Sequence, residues 1–245
     1  MEKFYDHFIG GKSVAPRDQS DYQAIEARPG SQVHIHIASG TDRDVAEAVA
    51  ACREATPAWT VMDPMTRGRL LVDIARALRS RIEQFAEIEA SETGKPRWQA
   101  TQEIEGAAQY FEYFGGLTNT SKGDLIDMGG EYHTYTVREP YGIVGVITPW
   151  NAPLNQAARA IAPALATANT VLCKPSEFTS GTTIEFAKLA SSCGLPDGVL
   201  NVILGDGHGA GMSIVNNAQV RKIAFTGSVR AALRLAALRQ SGSFP

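Results

Sequence analysis

Four short segments carry residue types that could do chemistry: Thr148-Pro149-Trp150-Asn151, Lys174-Pro175-Ser176-Glu177, Gly205-Asp206-Gly207 and Thr226-Gly227-Ser228. Asn151 offers a neutral side-chain amide, which can donate to a developing oxyanion without a change of protonation. Asn also forms turns, and on its position alone that reading stays open. Lys174 and Glu177 flank a Pro that stiffens the turn. A carboxylate there can accept hydrogen bonds from both hydroxyls of a ribose and repels a 2′-phosphate, which favours NAD over NADP. A solvated surface ion pair is the competing reading. Gly227-Ser228 precedes a helix, whose free N–H groups and dipole favour a pyrophosphate. Gly205, Gly207, Gly209 and Gly211 make a sterically open turn, without the Gly-x-Gly-x-x-Gly spacing of a dinucleotide fingerprint.

The cysteines and histidines point elsewhere. Cys52, Cys173 and Cys193 are odd in number and show no metal-ligand spacing, so they read neither as a disulfide framework nor as a zinc site. His34 and His36 would share a strand face, which alone is weak ground for a metal, and none is expected. Hydrophobic residues make up 44% and charged residues 20% of the 245-residue chain, with a net charge of −3, which argues against intrinsic disorder. Lys and Arg are not clustered, so no nucleic-acid partner is expected. No apolar run is long enough for a bilayer, and no signal pattern opens the chain, so the expectation is a reducing, cytoplasmic setting.

The positioning elements follow from periodicity and caps. Phe4–Val14 reads as a short strand ending at Gly10-Gly11, and Gln32–Ile37 leans to β. Thr41 with Asp44 predicts a capping box for a helix whose apolar face includes Val45, Ala48, Val49 and Cys52. Asp63-Pro64 starts a second helix, whose stripe of Leu70, Leu71, Ile74, Leu78, Ile82, Phe85 and Ile88 runs to Gly94 and Pro96. A third passes through Ile104, Ala107, Ala108 and Phe111 to Gly115-Gly116. Glu131–Val137 alternates like a two-sided strand and needs a hairpin mate or another subunit. From Gly142 onward, apolar strands at 142–148, 170–173, 199–204 and 222–225 alternate with helices at 155–167, 182–193, 208–216 and from Ser228. That rhythm predicts an α/β fold: a parallel Rossmann-like sheet with helices on both faces, preceded by N-terminal helices and an oligomerisation-type strand. In such a sheet ligands bind at the carboxyl ends of the strands, where all four segments fall.

Taken together, the blocks "EPYGIVGVITPWNAPL", "IAPALATANTVLCKPSE", "GLPDGVLNVI" and "KIAFTGS" resemble, in order and spacing, the NAD(P)-dependent aldehyde dehydrogenase superfamily. "FIGGK", "AWTVMDPMTRGRLL" and "SETGKP" resemble its N-terminal segments. The resemblance implies an oxidoreductase that converts an aldehyde to a carboxylic acid with NAD(P)+. It implies that Asn151 stabilises the oxyanion, that Lys174 and Glu177 lie on the adenosine ribose, and that Ser176 between them is cofactor-binding. It also places Gly207, Gly227 and Ser228 near the pyrophosphate, and Ile147, Thr148, Pro149 and Trp150 along the cofactor cleft. The 131–137 strand resembles the arm that pairs subunits in that family, which implies a homo-oligomer.

The family's nucleophilic cysteine and Glu-Leu-Gly-Gly-type general base are not found here. Cys173 lies inside a matching block, but a buried strand gives little thiolate. After Ser228 the chain departs from the pattern, with Ala232 where the family usually has Gly. The expected layout is therefore N-terminal strands and helices at 1–123, an arm strand at 124–140, a βα cofactor-binding core at 141–228 and a divergent tail at 229–245, with the substrate and catalytic domain absent. Such a chain is expected to be inactive alone. A non-enzymatic nucleotide-binding or subunit-interaction module, or one chain of a split enzyme, are the alternatives.

Overall fold

Residues 2–16, 22–26 and 34–241 are described by a computed structural model of the chain. The βα rhythm seen in the sequence becomes four parallel strands: β8 (Ile143–Ile147), β9 (Thr170–Lys174), β10 (Leu200–Val202) and β11 (Val220–Phe225). With β2 (His7–Ile9) and β3 (Lys12–Val14) they form one sheet in the order β11-β8-β9-β10-β2-β3. The last two strands run antiparallel. Crossover helices are α5 (Pro153–Ala166), α6 (Gly181–Ser192) and α7 (Met212–Asn216), and α8 (Val229–Ser241) follows β11.

Strand residues alternate between the two faces, and each face has its own core. Val144, Val146, Val171, Cys173, Leu200 and Val202 pack with Leu154, Ile161 and Phe186 of α5 and α6. Ile143, Leu172, Ile203 and Val220 pack with Val45, Val49, Cys52 and Ile214. These come from α1 (Asp42–Val61) and α7. Behind α5 and α6 lie α2 (Pro64–Ser80), α3 (Ile82–Thr93) and α4 (Arg97–Gly116), which supply Leu71, Ile74, Leu78, Phe85, Ile104 and Phe111 to the first core. On α4, Phe111 meets Phe186 of α6 at 4.9 Å between ring centroids.

Caps fall where the residue types require them. The Thr41 N–H donates to Asp44 at 2.8 Å and Asp63 accepts from the Thr66 N–H at 2.9 Å. Several expectations need correction. The continuous stripe from Leu70 to Ile88 spans two helices, because Arg81 leaves helical geometry (φ −118°, ψ 19°). Both pieces bury the same side, so the periodicity runs through the break. The segment 4–14 holds parts of three strands, since Gly10 and Gly11 take positive φ (56° and 78°) and fold β3 back on β2. β1 (Glu2–Tyr5) joins a separate small sheet with β5 (His34–Ala38) and β4 (Tyr22–Glu26), the last not foreseen. Gln32 and Val33 of the expected β segment lie outside the described residues. The helix expected from His208 opens as a π-helical turn, Gly207–Gly211, before α7. The strand expected over 131–137 shrinks to β7 (Thr134–Tyr135), paired with β6 (Leu125–Ile126). A turn at Gly129 and Gly130, closed by the Tyr132 N–H donating to the Gly129 carbonyl at 3.2 Å, takes up the residues in between.

Candidate functional site

All four segments sit where their strands end. β8 and β9 run in register, so Ile147 lies opposite Lys174, and the Thr148 N–H donates to the Lys174 carbonyl at 3.2 Å. On the other side the Thr226 N–H donates to the Ile147 carbonyl at 3.0 Å. The carboxyl ends of β8, β9 and β11 are thereby brought level.

A cavity of about 550 Å³ opens at this edge, lined by Ile147, Gly207, His208, Phe225 and Ser228 among others. It unites three of the sequence-predicted positions: Ile147, Gly207 and Ser228. Thr148, Pro149, Trp150, Asn151, Lys174, Ser176, Glu177 and Gly227 are not in its wall. Gly227 has a local reason. A Cβ there would lie 2.5 Å from the Phe225 ring, which lines the cavity. Ser228 caps α8, accepting from the Ala231 N–H at 3.3 Å.

Lys174 is not part of a solvated surface pair. It is 2% exposed, and its ammonium donates to the carbonyls of Gly205 (2.6 Å) and Pro175 (2.7 Å) and lies 3.6 Å from the Glu177 carboxylate. Burial pulls its pKa down and Glu177 opposes that shift. The lysine therefore ties the end of β9 to the glycine turn. Glu177, whose side chain is 24% exposed, faces solvent more than its partner does. Ser176 holds the short 3-10 turn 177–179, with its hydroxyl accepting from the Phe178 N–H at 3.4 Å. In the glycine turn, Asp206 accepts from the Gly209 N–H at 2.6 Å.

Trp150 is 59% exposed and Asn151 is exposed. Thr148 is 5% exposed, and its hydroxyl has no hydrogen-bond partner among the described residues. Sequence reasoning missed what holds this turn. Lys95, between α3 and α4, donates to the Asn151 carbonyl at 2.8 Å, and Glu89 on α3 accepts from the Leu154 N–H at 3.4 Å. Lys95 lies within the quoted "SETGKP" block, but nothing in that block indicates a contact 56 residues away.

The thiols are poor nucleophiles. Cys52 and Cys173 are wholly buried, and burial pushes both up to about 12. Cys193 is partly buried and is also raised by desolvation.

An open βα edge, open space around Gly207, an orphaned buried hydroxyl and a partly exposed carboxylate fit a dinucleotide. The aldehyde dehydrogenase family profile matches residues 15–243. The chain belongs to the aldehyde dehydrogenase family. The match runs through the 229–245 segment that the sequence reading set apart, as far as residue 243. A betaine aldehyde dehydrogenase of Bacillus subtilis is 37% identical over 226 residues, 91% of this chain and 46% of that protein. The crystal structure of an NAD-dependent aldehyde dehydrogenase from Sinorhizobium meliloti superposes with a TM-score of 0.93 at 36% identity, covering 98% of this chain and 49% of that one. A betaine aldehyde dehydrogenase point mutant from Staphylococcus aureus, solved with NAD+, superposes with a TM-score of 0.91 at 32% identity, covering 96% and 48%. The chain spans about half the length of these aldehyde dehydrogenases. No helix among the described residues is long and apolar enough to cross a membrane.

Proposed function

We propose that this chain is the cofactor-binding portion of an NAD-dependent dehydrogenase that oxidises an aldehyde to a carboxylic acid. The observation that carries the reading is the cavity at the carboxyl ends of the parallel strands, lined by Ile147, Gly207 and Ser228. In this reading Glu177 accepts the ribose hydroxyls, and Lys174 holds Glu177 and the Gly205 turn in place. Ser176 shapes the turn that presents Glu177. Gly207, Gly227 and Ser228 leave room and N–H donors for the pyrophosphate. Thr148, Pro149 and Trp150 border the nicotinamide end, and the Asn151 amide donates to the oxyanion that forms on the aldehyde carbonyl. NAD supplies the hydride acceptor when bound. The Glu177 carboxylate disfavours a 2′-phosphate and so selects NAD over NADP.

The chain alone is expected to bind NAD without oxidising aldehyde, because none of its three thiols is activated: desolvation raises each. The free cysteines fit a reducing, cytoplasmic compartment. The exposed apolar residues of the β6–β7 hairpin, such as Leu125 (74%) and Tyr135 (65%), support a role in pairing subunits. Titration calorimetry of the 245-residue chain with NAD, alongside an assay for aldehyde-dependent NADH formation, tests the reading. Saturable NAD binding with no NADH is the expected result. Absence of binding at millimolar NAD would sink the cofactor assignment. Turnover abolished by Cys173→Ala would overturn the reading of that thiol.

A further inference from the structure

The turn from Pro149 to Ala152 joins β8 to α5, and α5 has no side-chain cap at its N-terminus. Such a turn leaves backbone groups that neither the sheet nor the helix satisfies. Two contacts that meet this need come from one place, and a side-chain bond from α5 to α4 joins them there. Lys95 donates to the Asn151 carbonyl at 2.8 Å, Glu89 accepts from the Leu154 N–H at 3.4 Å, and the Glu103 carbonyl accepts from the Asn155 side-chain amide at 3.1 Å. These holders are bound to one another. The Lys95 ammonium lies 3.2 Å from Glu89 and is hydrogen-bonded to the Glu103 carboxylate, which also accepts from Gln99 at 3.0 Å.

The cluster is buried: the Lys95 and Glu89 side chains are 7% and 0% exposed, and Glu103 is 19% exposed. One ammonium faces two carboxylates. Burial, and then the neighbouring Glu103, push the Glu89 carboxyl up, and the Lys95 ammonium opposes that shift. A buried ion pair adds little stability over well-packed apolar side chains. Its value lies in direction: the ammonium fixes one carbonyl in space. Oxyanion donors work by being held in place before charge develops, and a misplacement of about 1 Å can cost on the order of a hundredfold in rate.

We propose that Lys95, held by Glu89 and Glu103, is a positioning residue that fixes the backbone at Asn151 and thereby aims the Asn151 amide and the Trp150 ring at the cofactor cleft. The proposal rests on the reading of Asn151 and Trp150 as cleft residues. Its direct content is that removing the Lys95 ammonium moves the Trp150–Asn151 turn while leaving the two cores in place.

The test uses the full chain labelled with 5-fluorotryptophan and observed by fluorine NMR. Three signals come from Trp59, Trp98 and Trp150, assigned with Trp150→Phe and Trp98→Phe. Trp59 is buried in the core and donates to the Asn169 carbonyl, so it reports the fold. Trp98 is too close in the chain to Lys95 to serve as a control. In Lys95→Met the Trp150 signal should shift or broaden with Trp59 unmoved, and the Kd for NAD should rise about tenfold. Lys95→Arg, which keeps a donor, should return Trp150 part of the way. Glu103→Gln preserves shape and should show the same Trp150 change in weaker form. It decides the matter if Lys95→Met loses the Trp59 signal through unfolding. An unchanged Trp150 signal in the folded variants overturns the proposal. So does a change shared equally by Trp59, which would mark a structural role only. If NAD fails to move Trp150 in the unmodified chain, the cofactor reading falls instead, and the comparison among variants still decides whether Lys95 holds the turn.

Discussion

Replacing Glu177 by Ala should weaken NAD binding by about tenfold to a hundredfold. In the proposed site its carboxylate accepts from two ribose hydroxyls, and a hydrogen bond to a charged group contributes about 1.5–3 kcal/mol. Its side chain is 24% exposed, so water competes and the pair together should fall in the range of a single buried bond. A loss of about 1.4–2.8 kcal/mol corresponds to that range of Kd. The variant should stay folded, because the buried Lys174 ammonium keeps the carbonyls of Pro175 and Gly205, at 2.7 and 2.6 Å. The same change removes the charge that repels a 2′-phosphate and leaves an ammonium beside it, so the preference for NAD over NADP should narrow. Titration calorimetry with both dinucleotides, with a thermal melt as control, measures both effects. A Kd for NAD within twofold of the parent, in a variant that melts normally, would refute the assignment of Glu177 to the ribose.

Other consequences follow from buried groups. Burial holds the Glu92 carboxyl at about 7, against an ordinary value of 4.5, while the Gly181 N–H donates to it at 3.0 Å. The folded chain therefore binds a proton that the unfolded chain has released between those values. Stability should be highest below pH 4.5 in this respect and fall by about 3 kcal/mol as pH rises to 7. Urea unfolding of the parent and Glu92→Gln at pH 5 and 7.5 checks this, and an equal change in unfolding free energy between the two pH values for both proteins would contradict it. Thr148→Val removes a buried hydroxyl that has no partner among the described residues, so it should leave the free chain as stable or more so. If Thr148 borders the cofactor as proposed, the same variant should bind NAD more weakly by calorimetry. Finally, a thiol reagent should label Cys193 first and reach Cys52 and Cys173 only on unfolding, since the latter two are fully buried. Rapid native labelling of Cys173, followed by mass spectrometry, would contradict its place on β9.

What was legible in the sequence was local or repetitive. The Thr41–Asp44 capping box, the Asp63 cap and the four apolar strands from Gly142 onward need only neighbours in the chain to be recognised. Breaks that leave periodicity intact were not legible. Arg81 divides α2 from α3 without interrupting the apolar stripe, because both helices bury that side. The burial of Lys174 was not legible either. A Lys-Pro-Ser-Glu turn leaves a surface pair open as an alternative, and only the Gly205 carbonyl, 31 residues on, which accepts from the ammonium, closes it. The Lys95 contact to Asn151 was invisible for the same reason, since its partner is set by how α4 packs on α5.

Lys95 and Lys174 nevertheless follow one physical rule. Each lies at a loop that borders the carboxyl ends of the parallel strands, each is nearly buried, and each donates to turn carbonyls. A strand that ends in a tight turn leaves carbonyls that the ladder no longer serves and that water reaches poorly. An ammonium with three donors can satisfy several at once while a carboxylate balances its charge. Glu177 plays that part for Lys174, and Glu89 with Glu103 plays it for Lys95. The desolvation cost is met by carbonyl and carboxylate partners together, so neither lysine needs to reach a ligand to matter for binding one. On this argument the two lysines set the shape of the cleft edge. Glu177 and Asn151, the more exposed groups they hold, are the ones left to meet cofactor and substrate.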